Sequence, residues 1–141
     1  MAQILITEDD SDIREDLAEI LRDVGYTVAT ATNGAEALAY LKSQPPPCLI
    51  LLDLMMPVMN GWDFRSQQLA DEALRAIPVL VLTGVADLQR VKTLQAAAVL
   101  TKPFKLEPLL AVIGRHCGSP EAGGPGADAG GSATACLGPR W

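Results

Sequence analysis

The chain has 141 residues, enough for one domain with a sizeable core, since 49% of it is apolar on a wide count. The formal net charge is -6 and the basic residues are dispersed, which excludes the basic stripe of a nucleic-acid binder. No apolar stretch approaches the roughly 20 residues of a membrane helix, and the start, Met1-Ala2-Gln3, has neither a basic segment nor a long apolar one, so no signal peptide is expected.

In chain order, Ile4-Leu5-Ile6-Thr7 reads as a first strand that runs into Glu8-Asp9-Asp10. A first helix should begin near Ser11 or Asp12, where Asp12 and Glu15 have capping-box spacing. Ile13, Leu17, Ile20, Leu21 and Val24 then recur at helical spacing, and Gly25 is placed to end the helix. Tyr26 to Ala31 is a second strand. Asn33 with Glu36 caps a second helix whose Ala37, Leu38 and Leu41 face inward, and Pro45-Pro46-Pro47 stops it. Leu49 to Asp53 is a third strand, followed by a loop to Asn60 and a third helix from Gly61 to about Ala73. Trp62, at the start of that helix, is expected to pack in the core. Pro78 opens a fourth strand ending in Thr83. A helix over about Leu88 to Ala96, a short strand from Val99 to Thr101, and a last helix from about Leu106 to His116 complete the alternation.

Continuous apolar runs bounded by polar residues are the pattern of strands buried on both faces. The expectation is therefore an α/β fold, a doubly wound five-stranded parallel sheet with helices on both faces and right-handed crossovers. From Gly118 onward Gly, Ala, Pro and Ser dominate, so the chain divides into a domain over 1–117 and a disordered tail over 118–141. The three cysteines, Cys48, Cys117 and Cys136, show no paired framework and no CxxC, which fits a reducing compartment and argues against structural zinc.

The chemistry lies at the strand ends. In a doubly wound sheet the ligand sits beyond the carboxyl ends of the strands. There Glu8, Asp9 and Asp53 would meet Thr83 and Lys102. Each alone has an ordinary reading: a solvated acidic loop, a strand-end hydroxyl, a surface lysine. Together, carboxylates within a few ångströms repel unless a cation or a proton intervenes, and a hard divalent cation with oxygen ligands, Mg2+, resolves this. Lys102 and the Thr83 hydroxyl are suited to phosphoryl oxygens, and an ionised aspartate is a usable nucleophile toward phosphorus.

The set Glu8-Asp9, Asp53 with Met56-Pro57 and Asn60-Gly61, Thr83-Gly84 and Lys102-Pro103-Phe104 resembles the receiver domain of two-component response regulators, over about Gln3 to Cys117. The resemblance implies a flavodoxin-like receiver fold in which Asp53 accepts a phosphoryl group. It implies Asp9 as a direct magnesium ligand, Glu8 acting through water and Met55 contributing its backbone carbonyl. Thr83 would be the switch hydroxyl, Lys102 the phosphate-binding lysine, and Lys102–Pro103 commonly a cis bond. It further implies a sensor histidine kinase or histidine phosphotransfer protein as donor and a downstream protein target. Direct nucleic-acid contact and membrane insertion are not implied; the location is cytoplasmic and the state a monomer or weak homodimer. The expected function is that of a stand-alone receiver that catalyses only its own phosphorylation and slow dephosphorylation.

Three departures stand out. Val99 occupies the place of the aromatic switch residue. The stretch from Thr83 to Lys102 is short, with Ala96-Ala97-Ala98 in place of a Gly-Ala turn, which predicts a shortened fourth helix. Met55 and Val85, which flank the acceptor, are both apolar and cannot orient water, which predicts slow self-dephosphorylation. The alternatives are a receiver-like docking module acting without phosphorylation, a magnesium-dependent phosphohydrolase, disfavoured because Met55 replaces its second acid, and a dinucleotide binder, disfavoured because no GxGxxG opens the first helix.

Overall fold

A computed structural model describes residues 3–84 and 88–118. Five parallel strands, β1 (Gln3–Thr7), β2 (Thr27–Ala31), β3 (Leu49–Asp53), β4 (Val79–Thr83) and β5 (Ala98–Thr101), form one sheet in the order β2-β1-β3-β4-β5. Helices α1 (Ser11–Val24), α2 (Gly34–Ser43), α3 (Gly61–Ala70), α4 (Leu88–Lys92) and α5 (Leu106–Cys117) fill the connections. This is the flavodoxin-like architecture expected from the alternating pattern.

The strand pattern explains the two layers. Every residue of β3 and β4 is buried, and alternate side chains enter opposite cores. Ile50, Leu52, Val79 and Val81 pack with Leu38 and Leu41 of α2, Phe64 of α3 and Val91 of α4. Leu49, Leu51, Leu80 and Leu82 pack with Leu17 and Leu21 of α1 and Leu109 and Ile113 of α5. A polar residue inside such a strand would enter one of these cores, whereas one at its end emerges at the rim. That rim is where Thr7, Asp53, Thr83 and Thr101 stand.

Several boundaries differ from the sequence expectation. The N-cap of α1 is Asp10, whose carboxylate accepts from the N–H groups of Asp12 and Ile13 at 2.9 and 3.3 Å. The Asp12–Glu15 spacing therefore lies inside the helix instead of capping it. Asn33 caps α2 as expected, accepting from the Glu36 N–H at 2.9 Å, while the Glu36 carboxylate returns to the Thr32 N–H at 2.8 Å. Helix α3 stops at Ala70 rather than Ala73, because Gln68, fully buried, donates to the Leu74 and Ile77 carbonyls and holds the chain in a turn. Helix α4 is a little over one turn, ending at Lys92 rather than Ala96. Gln95 has a φ of 55°, which no helix tolerates, and the Arg65 guanidinium takes the Leu94 and Gln95 carbonyls at 2.8 and 2.9 Å.

The expectation that the cysteines are unpaired is overturned. Cys48, immediately before β3, and Cys117, the last residue of α5, are joined in a disulfide with Cα atoms 5.3 Å apart. They are 69 residues apart in sequence, so no local spacing signals the pairing. No described helix is long and apolar enough to cross a membrane.

Candidate functional site: an acidic cluster closed by a lysine

Parallel pairing places the site. β1 lies between β2 and β3, with Thr7 opposite Leu52, so Glu8 and Asp9 leave β1 beside Asp53 at the end of β3. β4 flanks β3 on the other side with Asp53 opposite Leu82, which brings Thr83 to the same edge. β5 follows, with Thr101 opposite Thr83, and the Lys102 N–H donates to the Thr83 carbonyl at 2.7 Å. The Lys102–Pro103 bond is cis.

One carboxylate oxygen from each of Glu8, Asp9 and Asp53 lies within 4.8 Å of the others. Glu8 and Asp53 are buried, at 1% and 4% exposure, while Asp9 is exposed at the mouth. The Lys102 ammonium is 3.1 Å from Glu8 Oε1 and 3.4 Å from Asp53 Oδ1. The second Glu8 oxygen accepts from the Asp10 N–H at 3.2 Å. The Met55 N–H approaches Asp53 Oδ1 at 3.4 Å, so the loop after β3 folds back over Asp53 while the Met55 side chain points to solvent. Thr83 is wholly buried at the neighbouring strand end.

The electrostatics follow from burial of like charges. Burial first, then the hydrogen bond with Asp53 and its charge, push Glu8 from 4.5 up to about 7, against the opposing pull of Lys102 and the Asp10 N–H. Lys102 behaves in the opposite way. Burial disfavours its ammonium, yet the contacts with Glu8 and Asp53 outweigh burial and hold its pKa above the ordinary lysine value. The cluster without a metal is thus relieved by one lysine and by the raised proton affinity of Glu8. A divalent cation fits this donor set: three carboxylates converge, one of them open to solvent, and their mutual repulsion is incompletely offset.

Two further features position these groups. Gly61, the first residue of α3, sits against the end of β3. A Cβ there would lie 2.6 Å from the Asp53 carbonyl oxygen and 2.8 Å from the Leu54 Cα. Only glycine lets α3 start this close to Asp53, and the Gly61 N–H donates to the Leu54 carbonyl at 2.9 Å. Arg14 escapes sequence reasoning. Its guanidinium donates to the Glu8 and Asp9 carbonyls at 3.0 and 3.4 Å, pinning the acidic turn from α1. The available signal was its spacing, one helical turn after Asp10.

Trp62 is partly buried against the core on the α2–α3 side, as expected, and the Arg90 guanidinium lies 4.2 Å from the centre of its ring. Val99 is partly exposed on β5. Val85 and residues 119–141 lie outside the described residues.

A parallel αβα layered domain with an acidic cluster and a lysine at the carboxyl edge defines a phosphoacceptor-type signalling domain. The chain belongs to the response regulator receiver domain family of two-component systems, whose family model matches residues 4–114. It is 41% identical over 114 residues to the response regulator MprA of Mycobacterium ulcerans, covering 77% of this chain and 47% of that protein. It is 36% identical over 121 residues to the alkaline phosphatase synthesis transcriptional regulatory protein SphR of Synechococcus elongatus, covering 78% of this chain and 46% of that protein. The chain thus spans about half the length of these curated relatives. Among solved structures, it resembles the chemotaxis response regulator CheY4 of Vibrio cholerae with a TM-score of 0.74 and 34% identity, covering 82% of this chain and 98% of that one. It also resembles the response regulator TrrA of Thermotoga maritima, solved in complex with magnesium and BeF, with a TM-score of 0.72 and 28% identity over 82% of this chain and 98% of that one.

Proposed function

We propose that this chain accepts a phosphoryl group on Asp53 from a phosphohistidine donor in a magnesium-dependent reaction and passes the signal on by protein contact. The observation that carries this is the convergence of the Glu8, Asp9 and Asp53 carboxylates, with Lys102 bridging Glu8 and Asp53.

Asp53 attacks phosphorus through a carboxylate oxygen; the new P–O bond forms as the P–N bond to the donor imidazole breaks. Little acid–base chemistry is needed, so the task is positioning and charge stabilisation. Lys102 moves its ammonium from the carboxylates to the arriving phosphoryl oxygens, and Thr83 donates its hydroxyl to another of them. The Met55 N–H and the Gly61 contact hold the Asp53 end of β3 in place. Asp9, Asp53 and the Met55 backbone carbonyl would hold Mg2+, with Glu8 acting through water. The ion supplies charge neutralisation for the phosphoryl oxygens. A cation held here would favour the Glu8 carboxylate over its acid, which would couple loading to pH.

The domain extends over 1–117 with a tail from 118 to 141, and the chain acts in the cytoplasm with a sensor histidine kinase or histidine phosphotransfer protein upstream and a protein target downstream. These assignments rest on family membership and on the strand-end residues.

Beryllofluoride, an analogue of the phosphoryl group, tests the reading without a kinase. Magnesium with beryllofluoride should raise the melting temperature of the native chain and leave Asp53→Asn unchanged. An equal shift in both proteins, or none in the folded native chain, would defeat the proposal.

A further inference from the structure

We propose that Cys48 and Cys117 form a reversible redox-modification site, a thiol–disulfide pair that fastens the end of α5 to the start of β3 and takes small thiols or protein dithiols as its reductant class. The two Cα atoms are 5.3 Å apart, a separation at which a bridge needs no backbone movement. Both residues are half-buried at the margin of the α1–α5 core and not sealed inside it.

The surroundings accommodate both redox states. Cys48 Sγ is 3.1 Å from the Gln3 carbonyl oxygen. That oxygen already accepts from the Cys48 N–H at 2.8 Å and has a second lone pair for the thiol proton once the bridge opens. α5 does not depend on the bridge for docking, because Leu109, Leu110, Val112 and Ile113 are buried in the core. Opening the bridge therefore releases the last turn of α5 and not the helix. Among the described residues, the Tyr26 hydroxyl donates to the Gly118 carbonyl at 2.8 Å and the Gly118 N–H to the Gly114 carbonyl at 2.9 Å.

The chemistry balances as ordinary exchange. A thiolate attacks one sulfur, the mixed disulfide is resolved by a second thiol, and two electrons and two protons convert the bridge to two thiols. The two donor thiols are oxidised and leave as a disulfide, and the reverse reaction consumes a disulfide-class oxidant. In a reducing compartment a bridge reached by small thiols is opened, and it re-forms under oxidative challenge.

The pair lies at the opposite end of β3 from Asp53, about 16 Å away at 3.3 Å per residue. Its redox state should therefore alter stability and the exit of the chain after α5 while leaving the acceptor site intact. The bridge closes a loop between residues 69 apart. Removing that constraint should lower the melting temperature by about 10 °C or more.

The test equilibrates the full chain in oxidised and reduced glutathione buffers, traps free thiols by alkylation, maps peptides by mass, and records melting curves. The expected result is a Cys48–Cys117 peptide in oxidised buffer that disappears in reduced buffer with the near-UV dichroism retained, and a lower melting temperature after reduction. Cys136→Ser should behave as native. Cys48→Ser and Cys117→Ser should fold, melt like the reduced chain and ignore the buffer. A folded chain that forms no bridge, a bridge that includes Cys136, or a bridge that dithiothreitol opens only on global unfolding would overturn the proposal. The beryllofluoride shift should be equal in both redox forms, and its loss in the reduced form alone would overturn the separation of the two sites.

Discussion

Asp53→Asn should make the metal-free protein more stable at pH 8, although it removes the acceptor. The carboxylate is 4% exposed and stands within 4.8 Å of oxygens of both Glu8 and Asp9, while the Lys102 ammonium lies 3.4 Å away. With an effective dielectric of about 20, repulsion from Glu8 is at least about 3.5 kcal/mol and attraction to Lys102 about 5 kcal/mol, which leaves about 1.5 kcal/mol in favour of the carboxylate. The solvent-screened repulsion from Asp9 and the desolvation of a buried carboxylate remain, and both favour the amide. The expected net gain is about 1–3 kcal/mol, or about 1 M in the urea midpoint. At pH 5, where Glu8 carries its proton, the difference should shrink. Magnesium should narrow the difference: a site at ten times its dissociation constant adds about 1.4 kcal/mol to the native chain and much less to the variant. Urea unfolding at pH 8 in chelator, at pH 5, and at pH 8 with magnesium measures all three. If the native chain is as stable as Asp53→Asn at pH 8 in chelator, with equal m-values, the repulsive-cluster reasoning fails.

Four other outcomes follow from individual contacts. Glu8 binds its proton more tightly folded than unfolded, with a pKa of about 7 against 4.5, so metal-free stability should be highest at acid pH and fall as pH rises through that window. The total is about 3 kcal/mol for this buried group, and Glu8→Gln should flatten the slope; an unchanged slope would remove Glu8 as its source. Arg65→Ala should cost about 3 kcal/mol, because it strips the Leu94 and Gln95 carbonyls and Gln68 of their partner, and Arg65→Lys should not restore it; a change under about 0.5 kcal/mol in chemical unfolding would contradict the clamp. Gly61→Ala should lose about 2 kcal/mol and weaken beryllofluoride binding together, since its methyl meets backbone on β3; a variant that binds normally would show that α3 can shift freely. The phosphorylated chain should lose its phosphate slowly, with Met55→Glu shortening the half-life; rapid loss from the native chain would remove the argument from an apolar, solvent-facing Met55.

Much of the sheet was legible because β1, β3 and β4 are buried on both faces and read as unbroken apolar runs. Their ends were legible for the same reason: Asp53, Thr83 and the Glu8–Asp9 turn are where such a run can first admit polarity. Parallel order then brings Glu8, Asp9, Asp53 and Lys102 together, as expected from strand succession. What escaped depends on distant partners. Leu94 keeps helical spacing with Val91, yet Gln95 turns to a positive φ and Arg65 of α3 fixes the Leu94 and Gln95 carbonyls in that turn. Cys48 and Cys117 meet only because β3 and α5 share one core. Asp10 caps α1 ahead of the better-spaced Asp12, a choice made by the geometry of the turn after β1. The raised pKa of Glu8 follows first from its burial and then from the closeness of Asp53, neither of which any spacing in sequence encodes.

The central claim, phosphoryl acceptance at Asp53, is tested most directly by intact mass after incubation with acetyl phosphate, with and without magnesium, beside Asp53→Asn. The expected result is a single phosphate adduct that needs magnesium, maps to Asp53 and is absent from the variant. A folded native chain that remains unmodified by acetyl phosphate and by a phosphorylated histidine phosphotransfer protein, or an adduct that persists in Asp53→Asn, would contradict it.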